Sequence, residues 1–195
     1  MLLDLVEVYY QDTIRYMFQP LLLVLILGIV ILVTSDLNED RCDMGIFVGH
    51  LRECVIVPTL KGIGLYSEAA VELLVGTAAH ESHGGHWLKQ KRGPAQGIYQ
   101  QEKATLVDMW ENWIRFHPGL RDRLNLTYPD PERLQWDLRY ATLWARLQYF
   151  RAPAPLPEAT DLKGLAQYWY KNWCKGCKGT VGQWLVDYQR YVSTP

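Results

Sequence analysis

The sequence predicts a mainly α protein in which one N-terminal transmembrane helix precedes one helical domain. Two observations predict this architecture. Residues 16–35 contain no charged side chain, and the later chain alternates helical stretches with Gly- and Pro-rich breaks. Hydrophobic residues make up 49% of the chain and charged residues 21%, which is globular usage and excludes wholesale disorder. The formal net charge of -1 argues against a nucleic-acid partner bound through bulk charge.

Residues 16–35 have the length and composition of a membrane-spanning helix. Twenty helical residues extend about 30 Å, which is the thickness of a bilayer hydrocarbon core. A cleaved signal peptide is the alternative, but it would need a basic start, and residues 1–15 carry three acidic side chains against one arginine. We therefore expect an uncleaved anchor preceded by an amphipathic tail, residues 1–15, that lies along the membrane interface. Basic residues on the two sides of the anchor balance, so its orientation stays open.

Residues 36–66 are predicted to form a linker and a wrap in front of the domain. The segment 36–45 is polar, and 46–58 is a short mixed stretch that fits either a strand or an irregular wrap. Gly62 and Gly64 punctuate its end.

A buried helix over about 68–83 opens the domain, which we place at 67–195. Ser67 is a suitable N-cap, and Glu68 supplies an acid in the first turn. The helix is apolar nearly all round, which is typical of a core helix, and Gly84 and Gly85 end it. The remaining elements follow in order: a loop or small sheet over 84–101, helices over 102–116 and 131–151, a Pro-rich connector at 152–157, and helices over 159–173 and 181–193, the last capped by Thr180.

The four cysteines leave several pairings open. Cys174 and Cys177 form a C-x-x-C, whereas Cys42 and Cys54 lie far upstream and do not supply the second C-x-x-C of a closed zinc site. Two disulfides, one bridge between the distant pair and the C-x-x-C, or four free thiols all fit the spacing. In an oxidising compartment we expect Cys174 to be disulfide-bonded.

Glu81 is the candidate catalytic group. It lies at the C-terminal end of the apolar helix, where desolvation and the negative end of the helix dipole both raise a carboxyl pKa. A carboxylic acid that stays protonated near neutral pH is what a glycosidase general acid must be. The alternative is an ordinary solvated glutamate.

His80, His83 and His86 surround Glu81, but a zinc protease needs two histidines four apart on one helix, so we expect no metal.

Residues 67–192 contain an ordered series of short motifs. They are Ala79-His80-Glu81-Ser82, then Gly93-Pro94-Ala95-Gln96-Gly97-Ile98-Tyr99-Gln100, then Ala104-Thr105, with further matches at Asp137-Leu138-Arg139-Tyr140-Ala141 and Leu165-Ala166-Gln167-Tyr168-Trp169. This series resembles the lytic transglycosylase and goose-type lysozyme superfamily, whose pattern is Glu-Ser at a helix end, Gly-x-x-Gly-x-x-Gln, an Ala-Thr helix start, Asn-Ile-x-x-Gly and Leu-Ala-x-Tyr-Asn. The resemblance is strongest to phage-encoded, virion-associated members. The family's following Asn-Ala-Gly is missing here.

The resemblance implies a lysozyme-like fold and cleavage of the MurNAc–GlcNAc bond of peptidoglycan without a cofactor. Glu81 would act as general acid and then as general base toward the sugar's C6 hydroxyl, which closes a 1,6-anhydro ring. Ser82 and Gln100 would bind the substrate or steady Glu81, Tyr99 would line the cleft, and Tyr168 would place a hydroxyl near the acid.

A transglycosylase of this kind needs no second carboxylate. The nearest downstream acids, Glu102 and Asp108, look like first-turn or surface helix residues, and the resemblance implies that they are bystanders.

Two classes of function fit these observations. The first is a membrane-anchored peptidoglycan-cleaving enzyme of a phage virion that aids passage of the genome, with its domain on the cell-wall (periplasmic) side. Its partners would be glycan strands, the lipid bilayer and other virion proteins. The second is a non-catalytic structural virion or membrane protein with the same fold. The Glu-Ser pair and Gln100 favour the enzyme. A releasable host-lysis endolysin is a third version, and the strongly apolar residues 21–33 argue against release.

Overall fold

The computed structural model describes residues 45–174 and 176–192. The predicted tail at 1–15, the predicted transmembrane helix at 16–35 and the start of the predicted linker lie outside the described residues. Within the described part, no helix has both the length and the apolar character needed to cross a bilayer.

Helices make up most of the described chain, which confirms the mainly α class. The elements in chain order are α1 in three contiguous pieces (α-helical Val48–His50, π-helical Leu51–Ile56, α-helical Val57–Gly62), α2 (Glu68–Ser82), β1 (Ala95–Gln96), β2 (Gln101–Glu102), α3 (Lys103–Asn112), a 3-10 turn (Ile114–Phe116), α4 (Pro118–Arg123), a second 3-10 turn (Glu132–Gln135), α5 (Leu138–Phe150), α6 (Leu162–Asn172) and α7 (Val181–Val192). Strands β1 and β2 form an antiparallel hairpin in which Ala95 faces Glu102. The expected small sheet within 84–101 is therefore present, and it extends by one residue to Glu102.

Helix α1 corrects the expectation of a strand or irregular wrap over 46–58. Leu51 and Ile56 are both buried and lie five residues apart, a spacing that an α-helix would place on different sides. The π-helical turn, with its i to i+5 hydrogen bonds, aligns them on one face. Leu60 and Leu65 join the same core. The domain therefore begins before residue 67, and the predicted boundary lies too late.

Helix α2 is the central helix and confirms the predicted element almost residue for residue. The Ser67 hydroxyl oxygen accepts a hydrogen bond from the Ala70 N–H at 3.1 Å, which is the predicted N-cap. At the other end His83 adopts a left-handed conformation (φ 53°) and Gly84 follows with φ 66°. Helices α5, α6 and α7 all pack against α2. Because it is covered nearly all round, its last turn carries Glu81 into the interior of the domain.

The later helices begin at the polar caps that their sequences supply. Asp137 accepts from the Tyr140 N–H at the start of α5, and Asp161 accepts from the Gly164 N–H at the start of α6. Thr180 Oγ1 accepts from the N–H of residue 183 at 3.2 Å, so the predicted cap of α7 is confirmed.

An ion pair links α1, α2 and α7. Arg52 donates through Nη1 to Glu72 Oε1 at 2.5 Å and through Nη2 to Oε2 at 2.6 Å, and the Tyr188 hydroxyl donates to Oε2 at 2.5 Å. Burial alone would raise the pKa of Glu72, but the hydrogen bonds from Arg52 and Tyr188 outweigh it, so this pKa lies below its ordinary value. The carboxylate therefore fastens three helices that the chain brings together from distant positions.

Candidate active site

The end of α2 opens onto a cleft of about 800 Å³. The β-hairpin, α3, the end of α5 and the loop after α6 complete its walls. Its polar lining consists mainly of carboxyl and carboxamide side chains. The carboxyl groups belong to Glu81, Glu102 and Asp108, and the carboxamides to Gln90, Gln100, Gln101, Gln148 and Asn172. Such a lining offers many hydrogen-bond partners to a hydroxyl- and amide-rich ligand.

Glu81 lines the cleft, although protein atoms bury most of its carboxyl group. Burial raises the pKa of this carboxyl above its ordinary value of 4.5, while the nearby His80 and hydrogen bonds from Trp169 and Trp173 partly oppose the increase. The Trp169 indole Nε1–H donates to Glu81 Oε1 at 3.1 Å. The predicted direction of the pKa shift is confirmed, and desolvation is its main cause.

Trp169 and Trp173 are the residues next to the acid that the sequence analysis did not single out. Trp169 lies on α6, and Trp173, four residues later, is the C-cap residue of that helix, so the two follow one face. Trp169 also stands at the position where the resembled family pattern, Leu-Ala-x-Tyr-Asn, ends in asparagine. The spacing of four residues between these two tryptophans is therefore the sequence signal that could have identified them as neighbours of the acid.

Ser82 does not take the predicted role beside the acid or the substrate. It is fully buried and does not line the cleft. Its hydroxyl donates to the Ala78 carbonyl oxygen at 3.1 Å and accepts from the Gly85 N–H at 2.9 Å. Ser82 thus shapes the turn that ends α2, because it satisfies backbone groups that the helix end leaves unpaired.

The two tyrosines are likewise placed away from the cleft. Tyr99 is buried, and its hydroxyl lies 3.0 Å from the Thr142 hydroxyl, so the expectation that it lines the cleft is wrong. The Tyr168 hydroxyl donates to the Ala154 carbonyl at 2.9 Å, not to the acid. Both side chains point into the core because each lies on the buried side of its segment, and each hydroxyl has a partner there.

Gln100 lies in the cleft wall, and its predicted role in binding the substrate or steadying Glu81 stays a prediction. It adopts a left-handed backbone conformation (φ 47°), and its Nε2 donates to the carbonyl oxygens of Trp87 at 2.9 Å and Gly97 at 2.8 Å. These two hydrogen bonds hold the loop before the hairpin against the cleft wall, so the Gln100 amide helps to fix the shape of that wall.

Glu102 and Asp108 are exposed residues at the start of α3 and on α3, as predicted, and both also line the cleft. Asp108 accepts from Arg151 Nη1 at 2.5 Å and from Asn112 Nδ2 at 2.7 Å. The cleft therefore combines one partly desolvated acid at the end of α2 with two more exposed acids on the facing side.

A disulfide within the C-x-x-C lies beside the acid. Cys174 and Cys177 are disulfide-bonded to each other and both line the cleft, so Cys174 is bonded as expected, but the bridge within the C-x-x-C together with a free Cys54 differs from each of the three arrangements considered from the spacing. Cys54 is exposed and free, and Cys42 lies outside the described residues.

Within residues 45–174 and 176–192, no three His, Cys, Asp or Glu side chains come together as a metal site requires.

Comparisons of the chain with protein-family models, with curated proteins and with solved structures found no match in any of the three. The chemistry of the cleft and the sequence motifs around it are therefore the basis of the function proposed below.

Proposed function

We propose that this protein is a membrane-anchored peptidoglycan-cleaving enzyme of the lytic transglycosylase type, with a lysozyme-like fold and Glu81 as its general acid and base. The observation that carries the proposal is the position of Glu81, a carboxyl with a pKa raised by burial that opens onto a cleft of about 800 Å³. A general acid works best when its pKa lies near the working pH, and desolvation is the usual means of raising it.

The proposed reaction needs one carboxyl group. Protonated Glu81 gives its proton to the glycosidic oxygen as the C1–O bond breaks, and the resulting carboxylate takes the proton of the sugar's own C6 hydroxyl as that oxygen attacks C1. A 1,6-anhydro sugar forms, and Glu81 is protonated again. Because the Trp169 indole donates to Oε1, it stabilises the carboxylate between the two steps.

Hydrolysis is the competing outcome at the same site. A second acid that activates water would convert the reaction to a two-carboxylate mechanism, and Glu102 and Asp108 line the same cleft. Asp108 is paired with Arg151 at 2.5 Å, which favours a structural role. Glu102 makes no such ion pair among the described contacts, so it serves as the more informative substitution.

The proposed location is the cell-wall side of a membrane, in a phage virion or a complex that delivers the phage genome. The predicted anchor at 16–35 supports a membrane, and the Cys174–Cys177 disulfide supports an oxidising compartment. Glycan strands, the bilayer and other virion proteins are the proposed partners.

Mass spectrometry of muropeptides released from purified peptidoglycan by the full-length protein tests the proposal. The wild type should release 1,6-anhydro products. Glu81→Gln keeps the side-chain shape but has no proton to give, so the rate should fall by about 10²–10⁴. Glu102→Gln and Asp108→Asn should retain most of the activity.

Hydrolysed ends in place of anhydro ends, lost in Glu102→Gln, would replace the single-acid route by a two-carboxylate one. A wild type that binds peptidoglycan without cutting it would contradict the enzyme and support the non-catalytic structural alternative. A Glu81→Gln variant that keeps a tenth or more of the normal rate would show that Glu81 is not the acid.

A further inference from the structure

A carboxylate–imidazole contact lies directly behind the candidate acid. His80 Nδ1 is 2.6 Å from Asp187 Oδ2, and the side chains of the two residues are only 14% and 21% exposed. His80 precedes Glu81 on α2, whereas Asp187 lies on α7. Neither residue lines the cleft, so neither can touch a ligand bound there.

The His80 ring packs edge-to-face on the indole that bonds Glu81. The ring centroids of His80 and Trp169 are 4.6 Å apart with an interplanar angle of 74°. Trp169 is fully buried, and its Nε1–H is the group that donates to Glu81 Oε1. A continuous chain of contacts therefore runs from Asp187 through His80 and Trp169 to the carboxyl group.

The loop before α7 closes on both rings from the other side. A Cβ atom on Gly179 would lie 2.8 Å from His80 Nε2 and 2.8 Å from the Trp169 ring. Only glycine fits at this distance, so the imidazole and the indole are held from two directions. The orientation of the indole thus depends on where Asp187 holds the imidazole.

We propose that His80 and Asp187 form a positioning pair for Glu81, in which Asp187 orients the imidazole, the imidazole holds the Trp169 indole, and the indole N–H fixes Oε1 of the acid. This inference rests on the proposed function for its catalytic consequence, but its geometry can be tested without catalysis. His80 and Asp187 are positioning residues, since they act on the acid through Trp169.

The charges around the pair set the direction of the electrostatic effect. The nearby His80 lowers the pKa of Glu81. The other titratable, charged or polar-ring groups near Glu81 are Trp169 and Trp173 from α6, Tyr149 from α5, and Glu102, Asp108 and Arg151 around the cleft. Asp187 from α7 is the charged group in contact with His80. Removal of the imidazole should therefore raise the pKa of Glu81.

The indole N–H resonances of the ¹⁵N-Trp-labelled full-length protein give a direct measurement. The Trp169 signal is assigned as the one that Trp169→Phe removes. In the wild type this signal should move with pH as Glu81 titrates, and Glu81→Gln should abolish that movement. In His80→Gln the midpoint should move to higher pH, and in Asp187→Asn the signal should change position and broaden.

The kinetic consequence should appear in kcat. Misplacement of a catalytic group by about 1 Å costs about 10²-fold, so His80→Gln and Asp187→Asn should lower kcat for peptidoglycan cleavage about 10- to 100-fold with little change in KM. Asp187→Asn keeps the size of the side chain and changes only its charge, so it remains informative if His80→Gln folds poorly.

His83 provides a matched control. It also reaches from the end of α2 to α7, where its Nδ1 lies 2.9 Å from the Tyr191 hydroxyl and its ring meets the tyrosine edge-to-face at 5.8 Å. It makes no ring contact with Trp169. His83→Asn suits the left-handed backbone at this position, and it should leave the Trp169 signal, its midpoint and kcat unchanged.

A Trp169 signal and midpoint that stay at wild-type values in both Asp187→Asn and His80→Gln would overturn the positioning pair. Shifted signals in a protein that never cuts peptidoglycan would support the pair and contradict the general-acid role of Glu81. The two failures are therefore distinguishable.

Discussion

Gly76 on α2 lies directly against the indole of Trp184 on α7. A Cβ atom on Gly76 would lie 2.0 Å from Trp184 Cζ2, and Trp184 is fully buried and stacked on Tyr188 with ring centroids 5.4 Å apart. The missing side chain lets the two helices approach closely. This approach also brings Asp187 to His80, one helical turn from each contact.

We expect Gly76→Ala to destabilise the protein, although the same change normally stabilises a helix interior by about 1 kcal/mol. Overpacking against a buried ring typically costs about 1–3 kcal/mol, which outweighs the gain. Urea or thermal unfolding should show the loss, and Trp184→Leu in the same chain should recover part of it. Gly119→Ala on α4 is the control, because a Cβ there meets nothing within 4 Å. A more stable Gly76→Ala would contradict the close approach.

Glu81→Gln should increase the free energy of unfolding at neutral pH. The folded-state pKa of Glu81 is raised above the ordinary value of 4.5, so ionisation of this group destabilises the folded state once the pH exceeds 4.5. The amide keeps an oxygen to accept the Trp169 N–H and carries no charge. Unfolding curves of the variant and the wild type should therefore converge at pH 4 and separate as the pH rises through the folded pKa. A variant less stable than the wild type at pH 8 would contradict the proposed desolvation.

Glu72→Gln, also on α2, should change the free energy of unfolding with the opposite pH dependence. The folded-state pKa of Glu72 lies below the ordinary value, so its contribution to stability is present above pH 4.5 and is lost as the pH falls through the folded pKa. Loss of the hydrogen bonds from Arg52 and Tyr188 should cost roughly 1.5–3 kcal/mol at pH 7. Asp122→Asn, in an exposed pair with Arg121, is the control and should change stability by less than about 0.5 kcal/mol. Equal losses in the two variants would show that the buried pair has no special weight.

Local signals predicted local structure well in this chain. Ser67, the apolar run and the paired glycines were enough to place α2 and to bring Glu81 to its last turn, because caps and breakers act within a few residues. Helix α1 was missed because a π-helical turn replaces the 3.6-residue period with a spacing of five, which reads as irregular.

The surroundings of the acid were harder to predict because they depend on packing between distant segments. Tyr99 and Tyr168 belong to the motifs that carry the resemblance, yet which side of each segment faces the core is set by packing against distant helices. The contact between His80 and Asp187 spans 107 positions, and no short motif records it.

The membrane anchor is the fourth prediction and depends on the sequence alone. Residues 16–35 should hold the full chain in the membrane fraction through an alkaline carbonate wash, because extraction of a charge-free apolar helix is costly. N-terminal sequencing of the membrane fraction should recover residue 1. Full-length protein in the soluble fraction, or a mature chain that starts near residue 36, would contradict the uncleaved anchor.

The position of α7 has a consequence for when the protein becomes competent during its synthesis. Every residue that lines the cleft precedes α7 in the chain, whereas Trp184 and Asp187 lie within it. A nascent chain can therefore expose the whole cleft surface before Trp184 and Asp187 have left the ribosome, since chains fold as they emerge. Under the proposed function, full cutting activity requires the docking of this helix, so a chain in which α7 has not docked attacks the cell wall more slowly.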